Sequence, residues 1–189
     1  MPTISHLKET MVKLKVSPEI IAEIEDEDYT NTPEERLQST LAAIDKMDEL
    51  LTMNQRLAIM EKQGCCKGGK YEKDCKAFGK EHADKPLAEK LALLSGVEYM
   101  MSPWLNDDGT ITVSWGDWQN GKNMCSCGQI KKLKQPYSVS PTYCGCCAGH
   151  HLYHYQNALK VKLRLKKINS SPLNTNGEKP CSFTFEIIG

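Results

Sequence analysis

The chain carries no net charge. Lysine plus arginine and aspartate plus glutamate stand at 24 each. That balance lacks the basic excess of a general nucleic-acid binder, and it excludes docking by charge on an anionic membrane. Long apolar runs are missing as well. No segment approaches the roughly 18–20 residues needed to span a bilayer. The opening M-P-T-I-S-H-L-K-E-T has neither the apolar stretch nor the cleavage site of a secretory signal. The expectation is a cytoplasmic protein with no membrane and no nucleic-acid partner. Also absent are internal repeats, low-complexity tracts and the G-x-S-x-G, H-E-x-x-H and G-x-G-x-x-G signatures. Gly69-Lys70 is followed by Tyr71, so it does not complete a phosphate loop.

What the chain does have is cysteine. There are nine, and six of them lie between Cys125 and Cys181, in the runs C-S-C, C-G-C-C-A-G-H-H and E-K-P-C-S-F. An odd count with adjacent thiols suits a disulfide framework poorly, the more so in a reducing compartment. Three readings stay open: ligands for a soft metal, a reactive thiol site, or buried small apolar residues.

The first third reads as helical. Ile4, Leu7, Met11 and Leu14 recur at helical spacing. Ser17-Pro18 and Thr32-Pro33-Glu34-Glu35 are helix starts, the latter a capping box. The apolar positions from Leu37 to Met60 predict one helix from Pro33 to about Glu61. These helices either cover the chain's own core or offer a homodimerisation surface. Residues 1–62 are therefore expected as an N-terminal helical region and 63–189 as a Cys-rich α+β domain. A short helix is expected around Cys75 and Phe78, and another after Pro86. A strand over Thr110–Trp115 should pair with the stretch Val97 to Trp104. Asn120-Gly121 marks a turn leading back to Cys125. A helix over Pro141–Leu159 and two final strands, near Val161–Ile168 and Phe183–Ile187, close the chain.

On the Pro141–Leu159 helix, residues three and four apart share a face. Cys144, Cys147, His151 and His154 thus lie together, and Cys146 aligns with His150. Thiolate sulfur and imidazole nitrogen are the ligands zinc prefers. Cys125 and Cys127 from the preceding segment and Cys181 from the last strand are positioned to add to such a shell. The spacing is not that of a zinc finger. Only Cys144 and Cys147 have a knuckle's two-residue gap. In the second unusual segment, Gln63 to Lys70, the lysines beside Cys65 and Cys66 favour the thiolate. The alternative there is a glycine-rich helix stop with buried thiols.

The last 45 or so residues resemble the C-terminal part of the 4-vinyl-reductase-type small-molecule-binding domain. Its relatives include the sensor domains of phenol-responsive transcription activators and Golgi-trafficking subunits. The resemblance lies in the order of a Cys-bearing helix start (Tyr143 to Gly149), a strand, a Ser-Ser-Pro-Leu turn, and Gly177-Glu178-Lys179-Pro180-Cys181-Ser182-Phe183 opening the last strand. The chain is also similar to bacterial Cys-rich proteins with a thiazoline-carboxylate hydrolase-like tail. The resemblance implies an α+β fold around an apolar pocket, which Trp104, Trp115 and Trp118 are candidates to line. It also implies zinc, with Cys147 and Cys181 at ligand positions. Two further ligand positions fall on Ser170 and Leu173, so replacement by Cys125, Cys127, Cys144 or His151 would be required.

The expectation is a small-molecule-binding or sensor protein with a thiol-rich zinc-type site and a small apolar or aromatic ligand. The alternative is a thiol-dependent hydrolase of a small heterocycle, with Cys66, Cys146 or Cys147 as nucleophile and His150 or His151 as base.

Overall fold

The structure, a computed structural model, describes residues 2–24, 32–64, 67–97, 100–132 and 139–189. The chain is α+β: helices first, then strands around one late helix. The N-terminal part holds α1 (Ile4–Lys13), α2 (Pro18–Ala22), α3 (Pro33–Leu50) and α4 (Met53–Met60), followed by a 3-10 turn, Glu61–Gln63. Helices α5 (Gly69–Glu81) and α6 (Leu87–Leu94) come next. The strands are β1 (Trp104–Leu105), β2 (Ile111–Trp115), β3 (Asp117–Gln119), β4 (Lys122–Met124), β5 (Leu163–Ser170) and β6 (Cys181–Ile187), with α7 (Gly145–Leu159) before β5.

The start signals act as expected. Ser17 caps α2, and Thr32 and Glu35 form a reciprocal capping box on α3. The single long helix expected from Pro33 to Glu61 is instead two. Thr52 and Gln55 make a second capping box that restarts the chain as α4. The signal was present as Thr-x-x-Gln, but the unbroken apolar pattern across it concealed the break. The expected partner of β2 shrinks to the two residues of β1, paired Trp104 to Thr112 and Leu105 to Ile111.

The main sheet is antiparallel in the order β1-β2-β6-β5. Strand alternation sorts its two faces. Ile111, Val113, Phe183 and Phe185 are fully buried beneath α7. On the other face Thr112 meets Thr184 at 2.9 Å, and Asn169 donates to Thr184 at 2.9 Å, giving a polar ladder. The register of β5 shifts between Leu165 and Lys167. That bulge accounts for the extra residue in L-R-L-K-K-I and returns Ile168 to the inner side. Strands β3 and β4 form a separate hairpin. Asn120 and Gly121 both have positive φ, 49° and 77°, as a two-residue hairpin turn of that hand requires.

Helix α7 lies between two cores. Ala148, Leu152, Tyr155 and Leu159 belong to the cluster shared with the sheet, α5 and α6. Tyr143 and Cys146 belong to the cluster made by Ile4, Leu7, Met11, Ile44 and Met60 of the N-terminal helices. The N-terminal helices therefore cover the chain's own core, although Val12 and Met53 stay exposed at 63% and 54%. The boundary expected at residue 62 falls inside the Glu61–Gln63 turn. That turn is bonded to both sides. Gln63 Nε2 donates to Thr10 at 3.0 Å, and buried Glu61 accepts the Leu165 backbone N–H of edge strand β5 at 2.9 Å.

Two contacts seat α7. The first is glycine against backbone. A Cβ on Gly149 would stand 2.4 Å from the Glu61 carbonyl oxygen, and one on Gly145 would stand 2.5 Å from Met60 Cβ. The second is Asp48 of α3. Its carboxylate accepts from Thr142 Oγ1 at 2.5 Å, from Ser140 and from the Arg56 guanidinium. Burial pushes the Asp48 carboxyl up. The hydroxyls of Ser140 and Thr142 and the charge of Arg56 outweigh it and hold the group below its ordinary 3.8. Among the described residues no helix is long and apolar enough to cross a membrane.

Gly149→Ala should destabilise the fold by about 1–3 kcal/mol in urea unfolding, because backbone must move to admit the methyl group. Gly128→Ala, where a Cβ meets open space, should stay within about 0.5 kcal/mol. Asp48→Ala should cost about 2–3 kcal/mol near neutrality. Because the folded carboxyl sits below 3.8, its contribution is complete above that pH and disappears as pH falls through the folded value. The gap between wild type and variant should therefore close in strong acid.

Candidate functional site

Five thiols from three separate segments meet at one end of the sheet. Cys125 and Cys127 follow the β3–β4 hairpin, Cys144 and Cys147 start α7, and Cys181 begins β6 opposite Trp115. The hairpin is held over the long turn before β6 by Asn123. Its backbone N–H donates to the Gly177 carbonyl at 2.9 Å, and its side chain donates to the same oxygen at 3.2 Å. Asn174, in that turn, donates to the Val139 carbonyl at 2.7 Å, which ties the turn to the entry of α7. Together the five thiols border a space of about 10 Å³, with Trp115, Tyr143 and Leu173 completing its wall. A space of that size is at the lower limit for a single water. The sulfurs essentially fill their own gap.

Burial holds Cys125, Cys144, Cys147 and Cys181 in the thiol form. Burial pushes Cys144 up to about 11, although the interaction with the Ser171 hydroxyl opposes the rise. Burial and the surrounding thiols push Cys147 and Cys181 well above the ordinary range, and burial raises Cys125 too. Tyr143 is raised by burial and by the thiols around it, and its hydroxyl lies 3.5 Å from Cys127 Sγ.

Above the thiol cluster opens a pocket of about 450 Å³. Trp115, Met101 and Tyr143 give it apolar walls, and Cys127, Cys146 and Cys147 give it sulfur. Ser126, Gln129, His150 and His151 supply the polar atoms, and among the described residues its lining holds no lysine, arginine, aspartate or glutamate. Only Cys127, Cys147, Trp115, Tyr143 and Ser126 line both the pocket and the thiol-bordered space. A second groove of about 450 Å³, beside Ile4, Ile24 and Ala43, is edged by Glu23, Gln38 and Lys46. It lies away from the thiols.

The zinc-type site and the zinc cofactor expected from sequence are corrected here. Among the described residues no three of His, Cys, Asp and Glu are placed to hold a metal ion together. Cys125, Cys127, Cys144, Cys147 and Cys181 border one small space, and His151 lines the adjoining pocket packed against aromatic rings. Its ring lies 4.7 Å from Trp115, 6.0 Å from Phe183 and 6.2 Å from Tyr155. Burial, with His150 and His154 adding to it, lowers His151 to about 3, so it stays neutral. Helical spacing put it on the right face of α7. The aromatic neighbours supplied by β2 and β6 decided what that face meets.

Of the residues offered for thiol chemistry, Cys146 and His150 both line the pocket. Cys146 points into the N-terminal core, where its thiol donates to the Gln63 carbonyl at 3.2 Å. His150 sits over the pocket with its ring 5.8 Å from Tyr71 and 4.5 Å from His154. Cys66 lies outside the described residues. Of the three tryptophans only Trp115 lines the pocket, whereas Trp104 and Trp118 are exposed at 46% and 66%. Met101, Tyr143, Ser126 and Gln129 were not singled out from sequence. For Ser126, Gln129 and Tyr143 the available signal was nearness to the C-S-C run and to Cys144; Met101 had none.

Comparison with family models, curated proteins and solved structures gave no match in any of the three.

His151 generates a pH dependence. The unfolded chain takes up its proton near 6.5, but the folded chain does so only at about 3. Between those values the unfolded state binds more protons, so stability falls as pH falls, by at most about 1.4 kcal/mol per pH unit. At pH 7 the group is neutral in both states and contributes nothing. His151→Gln should flatten that part of the curve in urea unfolding measured across the interval.

Proposed function

We propose that the chain binds a small, uncharged, largely aromatic molecule in the pocket beside α7, without a metal. The observation that carries this reading is the combination of volume and lining. A cavity of about 450 Å³ walled by Trp115, Tyr143 and Met101 falls within the usual range for small-molecule sites. It suits a bicyclic or tricyclic aromatic. Charge selection comes from what surrounds it. His151 remains neutral, and the pocket lining has no lysine, arginine, aspartate or glutamate to pair with an ionised ligand. A charged ligand would lose its hydration without compensation. The hydroxyls of Ser126 and Tyr143, the Gln129 amide and the two imidazoles remain to orient a hydroxyl, carbonyl or ring nitrogen.

The resemblance of the last 45 or so residues to vinyl-reductase-type domains supports the same reading, since it implies an apolar ligand pocket within an α+β fold. The order of Cys-bearing helix, strand, Ser-Ser-Pro-Leu turn and Cys181 strand carries that resemblance. The zinc it also implies is not carried over.

The neutral fluorophore 1-aminoanthracene should bind the full chain with enhanced, saturable emission. Trp115→Leu should weaken binding about tenfold or more, through loss of ring contact area. Trp118→Ala, on the exposed hairpin, should leave binding unchanged. Equal affinity in both variants, or no saturable binding to the folded wild type, would remove the pocket as the ligand site.

A further inference from the structure

Of the five clustered thiols, Cys127 and Cys147 are the two that border both the closed gap and the open pocket. Each is partly exposed there, whereas Cys144 and Cys181 are buried. They come from different elements. Cys127 lies in the irregular segment after β4, and Cys147 lies in the first turns of α7. Both border the same gap of about 10 Å³, across which a disulfide would join them. Tyr143 Oη, 3.5 Å from Cys127 Sγ, is a hydroxyl that donates to whatever negative charge develops on that sulfur.

We infer that Cys127 and Cys147 form a dithiol that reduces a hydroperoxide entering the pocket and is itself converted to a disulfide. The inference rests on the pocket of the preceding section for access and for preference among peroxides. In the first step the deprotonated Cys127 sulfur attacks the terminal peroxide oxygen. An S–O bond forms, the O–O bond breaks, and the alkoxide leaves and takes up the thiol's proton to give the alcohol. In the second step Cys147 Sγ attacks the sulfenic sulfur. An S–S bond forms, the S–O bond breaks, and the Cys147 proton leaves with the hydroxide as water. Overall, two thiols and one hydroperoxide give one disulfide, one alcohol and one water. Cys127 acts first because the Tyr143 hydroxyl lies 3.5 Å from its sulfur, and Cys147, on the helix, resolves it.

The test uses the full reduced chain treated with one equivalent of cumene hydroperoxide or of hydrogen peroxide. Free thiols are then alkylated and the protein is mapped by mass spectrometry without reduction. The expected product has lost two hydrogens, links Cys127 to Cys147, and reverts with dithiothreitol. Cys125→Ser should still form the link. Cys147→Ser should instead leave a dimedone-reactive sulfenic acid at Cys127. Cumene hydroperoxide should react about tenfold faster than hydrogen peroxide, the gain expected from burying its ring. A link that excludes Cys127 or Cys147, or oxygen added to scattered thiols with no link, overturns the dithiol. The wild-type map decides this even where a serine variant fails to fold. The expected link formed at equal rates with both peroxides leaves the dithiol standing and overturns the aromatic pocket.

Discussion

The seating of α7 against the chain at residues 60–64 is the constraint on which the rest of the structure depends. Gly145 and Gly149 remove the side chains that would hold the helix off Met60 and Glu61, and Gly64 does the same from the opposite side. Backbone therefore meets backbone, and the helix is lodged between the N-terminal helices and the sheet. Gly79 of α5 makes a third such approach, with its would-be Cβ 2.1 Å from the Asn157 carbonyl. Close packing of this kind has little slack, so α7 has one position rather than a range. The Glu61 bond to Leu165 and the Asp48 bonds to Ser140 and Thr142 then work on an already seated helix.

Everything functional inherits that position. Once α7 is placed, Cys144 and Cys147 face β6 and the segment after β4, and Cys146 faces Gln63 in the other core. His151 lies against Trp115 and Phe183. The result is a site with two layers: an apolar pocket outside and a dense group of thiols inside. Burial explains the coexistence of the two layers. The same exclusion of water that raises the inner thiols keeps the outer imidazole of His151 neutral. On the proposed reading, a pocket walled by soft sulfur and aromatic carbon would select by shape and polarisability.

The places where local reading failed share a cause. The break at Leu51-Thr52 is a local event, yet the apolar periodicity on either side stays in phase and hides it. The bulge in β5 likewise shows only as a doubled lysine. The zinc-type shell failed for a different reason. Cys125, Cys127, Cys144, Cys147, His151 and Cys181 are the right atoms at suggestive spacing. Whether donors converge on a point, however, depends on segments more than fifty residues apart in sequence, and on rings from β2 and β6 that pack against His151.

Short-range physics was enough to read the helix starts at Ser17, Thr32 and Pro86, the turn at Asn120-Gly121 and the closing strands. It also gave the α+β order and the gathering of cysteine around α7. Capping, turn chemistry and alternation act within a few residues and leave their record there. Only the tertiary structure decided that Cys127 and Cys147 share two walls, that Cys146 belongs to the other core, and that Trp115 rather than Trp104 or Trp118 lines the pocket. Those outcomes depend on how closely separate elements approach, and that distance is set by side chains missing at Gly145 and Gly149 against partners far away in the chain.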